Sequence, residues 1–359
     1  MDIRKEKMNH RIEAWDLLKT FAIFLVIMGH FLQYMVSWSP FECPLFAWIQ
    51  TFHMPLFMTL AGLFAGKDYE KNTFKDYFIK RFMRVMVPCV SWLILIFLVK
   101  GLLVDNSWSL SMLKTTLIND LWFLKSLFIC CLLGYLAYKK KENRVLYIIL
   151  SLLFSQICLM WNVFIMFPCF LCGMFIYKYF NCLLNHLKLV LWISGFFFLI
   201  SSLYLSFSPE YWITGKGIRQ ALFSGSMSIE SSSLYLLDIV GRRYLNMIVG
   251  IMASVFFIIG SYVLFRNVRL CGLLKKWADS GKYTLGIYAI QTIIVEIIMV
   301  RFIQADLEHS VIYIVLFFPL LSIGVIWISV FINSYISSKK PYLATILFGD
   351  KLQFENQRI

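Results

Sequence analysis

His30 stands deep in the first long apolar run of the chain, with Asp16 and Lys19 on its near side and Gln33 three residues beyond. An ionisable group inside such a run is costly to keep and is a functional candidate by default. About 16 Å of helical rise separates Lys19 from His30, which carries the imidazole well past the headgroup layer. The spacing is also close to three full turns, so the two share a face. A neutral imidazole there can accept a proton, or it can be a structural histidine bonded to a neighbouring helix. His53, two residues before Pro55, offers the same pair of readings. Arg81 and Arg84 lie three apart at the head of another apolar run, where they would project together, with Lys80 beside them and Lys19 and Asp16 at similar depth. Such a pair grips phosphate or anchors the chain in the inner leaflet. Lys125, Glu296 and Arg301 are further intramembrane charges, read most simply as helix-end or interhelical partners.

The elements that must position these groups are set by lipid. Of the 359 residues, 60% are hydrophobic and only 15% charged, against about one-half and one-quarter in soluble domains. About ten runs are long enough to cross a bilayer, at 15–36, 46–66, 85–104, 120–138, 145–161, 163–180, 188–207, 244–265, 283–303 and 310–336. They lack the alternation of a membrane barrel, and lipid leaves helix as the remaining way to satisfy the backbone. The expected fold is an all-α polytopic bundle of about ten transmembrane helices. It comprises an N-terminal segment at 1–14, a transmembrane domain at 15–338 and a tail at 339–359.

The net charge of +14 reads as topology, with no nucleic-acid partner. With the N-terminus cytoplasmic, about 25 of the 34 Lys and Arg fall in inner segments, as the positive-inside rule requires. Both termini are then cytoplasmic, and the chain is a multi-pass protein of the inner, cytoplasmic membrane. The first run is too long for a signal peptide, lacks a small-residue cleavage site and should be retained. Cys169 and Cys172 have redox or metal spacing, but no second pair lies nearby, so packing residues are expected and no metal. Gly62 and Gly66 suggest close helix packing on the second span. The outer stretch at 208–243, rich in serine and glycine, is a connector or a lid. Tyr211, Trp212, Arg219, Glu230 and Asp238 within it would suit a glycan face.

Four stretches together resemble the integral-membrane acyltransferase family 3. In 11–30, RIEAWDLLKTFAIFLVIMGH, Asp16, Lys19 and His30 fill the acidic, basic and histidine places of the family's opening motif, which more often carries arginine where Lys19 stands. FHMPLFMTLAGLF at 52–64, KRFMRVMVPCVSWL at 80–93 and DLWFLKSLF at 120–128 are similar to three further family segments. GKYTLGIYAIQ at 281–291 is similar to another, with Gln291 where the family has histidine.

The resemblance implies transfer of an acyl group, most commonly acetyl, from acyl-CoA to a hydroxyl of a carbohydrate or lipid-linked glycan, within membrane lipids. His30 would be the general base. Arg81, Arg84, Lys19 and Lys80 would hold the coenzyme A phosphates, and Asp16, Gln33, His53 and Trp122 would bind or support substrate. Direct attack is expected, since no serine–histidine–acid arrangement is present, although an acyl-histidine step stays open. The rival reading is a multi-span transporter or flippase of an anionic or glycan substrate, which predicts inverted repeats and broken helices that the sequence does not display.

Overall fold

The computed structural model describes residues 3–35, 43–104, 108–139, 143–158, 160–207, 229–265, 272–303 and 313–350. The outer stretch from 208 to 228, with Tyr211, Trp212 and Arg219, lies outside them, as does the tail beyond residue 350. Every regular element among the described residues is helical. Among the described residues, seven helices are long and apolar enough to cross a membrane: Glu13–Tyr34, Phe74–Leu103, Met160–Asn185, Leu187–Ser206, Gly241–Phe265, Gly272–Arg301 and Ile314–Lys339. The pair Leu110–Asn119 and Trp122–Tyr138, bent by 50°, makes an eighth if it is one span. The expected spans at 46–66 and 145–161 correspond to the helix Pro44–Lys71 and the shorter apolar helix Val145–Gln156, and neither meets the same length and hydropathy test.

Two boundaries differ from the hydropathy reading. The charged stretch before the third span is helical, because Thr73 and Asp76 form a reciprocal cap that restarts the chain after Asn72. The Thr73 hydroxyl donates to the Asp76 carboxylate at 2.6 Å, and the Asp76 amide donates back at 3.3 Å. The helix following the outer stretch begins at Ile229, ahead of the expected 244, since no proline interrupts that sequence.

The chain divides into two compact units. One comprises residues 1–40, 78–128 and 265–359. Here the first helix lies against the segment Gly272–Arg301. The Thr20 hydroxyl donates to the Trp277 carbonyl at 2.7 Å, and Gly281 sits so close to the Asp16 carbonyl that a Cβ would collide with it. Phe31 stacks on Phe318 at 5.6 Å between ring centres. The short helix Pro341–Phe348 turns back onto Val87–Leu103, where the Trp92 indole donates to the Leu347 carbonyl at 2.7 Å. It ends at Gly349, whose φ of +69° favours glycine and whose Cα faces the Arg84 backbone.

The other unit comprises residues 41–77 and 129–264. Its centre is the crossing of Pro44–Lys71 with Val163–Asn185. Gly62 meets the Phe170 carbonyl and Gly173 meets the Thr59 carbonyl, so small residues on both helices let the backbones touch, while Gly66 meets the Tyr177 ring. Phe52, Phe198 and Phe257 fill the space beside it. At one end Tyr69 donates to the Cys131 carbonyl at 2.9 Å and Tyr135 to the Asn72 carbonyl at 3.1 Å. Elsewhere the Arg243 guanidinium donates to the carbonyl and side-chain oxygens of Gln156, and lies 3.8 Å from the Phe164 ring centre.

The glycine crossing yields a direct expectation. Gly62→Leu drives a side chain into the Phe170 carbonyl and should destabilise the protein by about 1–3 kcal/mol. A lowered thermal midpoint in detergent checks it, and a midpoint equal to that of the parent would show that the helices have room to part.

Candidate active site

The candidate site is built in the first of these units from the C-terminal halves of two helices and the break in a third. His30 and Tyr34 are one turn apart on the first helix and therefore share a face. Opposite them is Glu296, in a π-helical turn, Thr292–Ile298, inside the span Gly272–Arg301. The wider turn inserts one residue into the helical repeat, a device found often at functional sites. Nδ1 of His30 lies 2.7 Å from Oε1 of Glu296, a contact of ion-pair length that is bent away from the linear N–H···O direction. The Tyr34 hydroxyl donates to Oε2 at 3.3 Å, and the Gln291 amide reaches Oε1 at 3.5 Å. Both carboxylate oxygens are thus engaged, which a carboxylate at this depth requires.

A carboxylate only accepts, so a hydrogen bond from the ring to Glu296 requires the proton on Nδ1 and leaves Nε2 with its lone pair. His30 keeps about a quarter of its side-chain surface open, whereas Glu296 keeps less. An imidazole oriented by a carboxylate and open at the other nitrogen can take a proton from a hydroxyl and return it to a leaving group.

A second charged pair adjoins the first. The Lys100 ammonium, in the last turn of its helix, contacts Oδ2 of Asp120 at 2.5 Å. The helix that carries Lys100, Val87–Leu103, packs on the turn Thr292–Ile298 that carries Glu296. Asp120 owes its position to a break in the chain: the helix Leu110–Asn119 stops, Leu121 takes a positive φ of 49°, and the chain restarts at Trp122. Buried carbonyls exposed by that stop must find donors. Lys125 supplies them, donating to the carbonyls of Leu117 at 2.5 Å and Asp120 at 2.8 Å, with its cation on the negative end of the helix dipole. The segment DLWFLK at 120–125 is therefore a self-capped break.

The other candidate residues lie elsewhere. Asp16 and Lys19 pair with each other at 2.8 Å, about 21 and 16 Å of helix rise from His30 respectively. A similar rise separates Gly281, at the Asp16 level, from Glu296, so the two helices run in step. Lys80, Arg81 and Arg84 are half-buried toward the same end as Asp16, with Arg84 about 24 Å of rise from Lys100. Arg84 falls in a π-helical turn, Phe82–Met86, so the α-helical projection expected for Arg81 and Arg84 does not carry over unchanged. Gln33 is exposed on the turn beside Tyr34, and Trp122 is half-buried against Phe123. His53 belongs to the other unit, buried, with Nδ1 donating to the Ile49 carbonyl at 2.8 Å. Glu296 had a readable signal, a carboxylate inside an apolar run. Lys100 and Asp120 are charges at the edges of apolar runs too but their pairing was not legible, and Tyr34 carried no signal, because such partners are set by packing between distant segments.

A family model described as an acyltransferase domain, family 3, matches residues 12–334. The nodulation protein NolL of Mesorhizobium japonicum is 32% identical over 132 residues, 35% of this chain and 35% of that protein. The NolL of Sinorhizobium fredii is 32% identical over 91 residues, 24% of this chain and 25% of that one. The matched stretch therefore spans about a third or less of these curated relatives. No solved structure matches the chain.

The Lys100–Asp120 pair makes a measurable prediction. Lys100→Met strands a largely buried carboxylate and should cost about 3–5 kcal/mol, while Lys100→Met with Asp120→Leu should recover most of it. Thermal unfolding in detergent of both variants is the check, and equal losses in the two would mean that the pair is not coupled.

Proposed function

The chain belongs to the integral-membrane acyltransferase family 3, and from that premise we propose that it is an O-acyltransferase moving an acyl group, acetyl in the simplest case, from acyl-CoA to a glycan hydroxyl, with His30 as general base. The observation that carries this reading is the 2.7 Å contact between His30 and Glu296, which leaves Nε2 ready to accept a proton. Nε2 removes the proton of the acceptor hydroxyl as its oxygen attacks the thioester carbon. The C–O bond forms, the C–S bond breaks, and the imidazolium returns the proton to the departing thiolate. Glu296 holds the ring orientation and balances its charge while it is protonated, and Tyr34 and Gln291 hold Glu296.

The donor's phosphates rest on Arg81 and Arg84, with Lys80 and Lys19 adding positive charge. A helix rise of about 20 Å between that end and His30 suits a ligand whose nucleotide sits at the membrane face and whose thioester is carried on a long extended arm. Ten spans with both termini in the cytoplasm complete the reading: the arginine end faces acyl-CoA in the cytoplasm, and His30 meets its acceptor in the outer half of the bilayer. The positive-inside bias supports this orientation. The substrate of NolL is not carried over, given how little of either chain is matched.

The test uses membranes containing the full chain, radiolabelled acetyl-CoA and a glycan acceptor fraction. His30→Ala should abolish label transfer, and Glu296→Gln should lower it by about 10²–10⁴-fold with little change in acetyl-CoA KM. Arg84→Ala should chiefly raise the acetyl-CoA KM. Undiminished transfer in His30→Ala would remove the histidine from the chemistry.

A further inference from the structure

The Lys100–Asp120 pair takes no part in the proton transfer, yet it is kept beside the His30–Glu296 pair at a depth where charge is expensive. Next to it in the chain and in space is an unusual tryptophan. The Trp108 indole packs against Gly101 through Nε1 and Cδ1, so tightly that no side chain could replace the glycine hydrogen there, and 57% of Trp108 still faces outward. A tryptophan that only marks the membrane boundary needs no glycine seat behind it. Here an indole is fixed at its Nε1 side and more than half exposed, and the glycine that seats it is the chain neighbour of Lys100, whose ammonium grips a carboxylate.

Those are the components that recognise a sugar ring. The C–H face of a pyranose lies on an aromatic plane, and its hydroxyls, which both donate and accept, bridge a cation and a carboxylate. The helix that carries Lys100 packs on the turn Thr292–Ile298 that carries Glu296, so a ring held here adjoins the acid–base pair. We propose that Trp108, Lys100 and Asp120 form the acceptor subsite, taking a hexopyranose ring and presenting its free hydroxyl to His30. The proposal rests on the reading of His30 as the acyl-transfer base.

The experiment uses the full chain in lipid nanodiscs with radiolabelled acetyl-CoA. The acceptors are methyl glucopyranoside, galactopyranoside and mannopyranoside, with butanol as an alcohol that has no ring. Trp108→Ala should raise the KM of the accepted glycoside about tenfold with the acetyl-CoA KM unchanged. Trp108→Phe should retain most of the wild-type acceptor KM. Gly101→Ala, which pushes the indole from its seat, should reproduce the Trp108→Ala effect, and Trp192→Ala, at a 76% exposed tryptophan in the other unit, should change neither KM. An acceptor KM unmoved by Trp108→Ala, or a parallel rise in both KM values as for a membrane anchor, overturns the subsite. Acetylation of butanol but of no pyranoside overturns the sugar assignment alone. Transfer that persists in His30→Ala overturns the reading on which the proposal rests, and is told apart because it leaves the Trp108 comparison intact.

Discussion

The contact between the His30 ring and the Glu296 carboxylate is the constraint to which the surrounding structure answers. A carboxylate within the hydrocarbon depth is tolerated only when its oxygens are satisfied and its charge is met. Oε1 faces Nδ1, Oε2 faces the Tyr34 hydroxyl, and Gln291 lies behind. To reach these partners Glu296 is carried on a π-helical turn, and the two helices involved must start in step, which the close seat of Gly281 on Asp16 provides. The chemistry and the helix register are therefore one requirement seen at two distances.

Charge in this unit is sorted along the helix axes. Asp16, Lys19 and the arginines occupy one end, and the His30–Glu296 and Lys100–Asp120 pairs occupy the other, with apolar side chains such as Ala22, Ile23, Val26 and Ile27 buried between. The separation keeps each cluster from neutralising the other. It also leaves the middle of the membrane to uncharged contacts, where ion pairing is hardest to sustain.

The sequence disclosed the class of fold because bilayer thickness imposes a length on every apolar run, and it marked His30, Arg81 and Arg84 as candidates because polar groups stand out against such runs. It was silent on how the runs bend. The break at Asp120 and Leu121 has neither glycine nor proline, and only the reach of Lys125 to the carbonyls of Leu117 and Asp120 makes it affordable. Partnerships were the other gap. Glu296 was visible as a carboxylate but not as the partner of His30, and Gln291 turns out to adjoin that same carboxylate. His53 and His30 looked alike in sequence, yet the first is spent on a carbonyl of its own helix, four residues back, and the second faces an acid.

One feature of the chain path bears on biogenesis. The arginine-bearing turn at Phe82–Met86 is braced by Gly349, and His30 meets an acid near residue 300, so the first and third of its three stretches must both be in place. During synthesis the N-terminal helix enters the bilayer long before its counterion exists. Until the ribosome has delivered the last spans, His30 is an uncompensated polar group awaiting its partner. A chain stopped before that point would hold His30 without Glu296, and so without the contact that orients its ring.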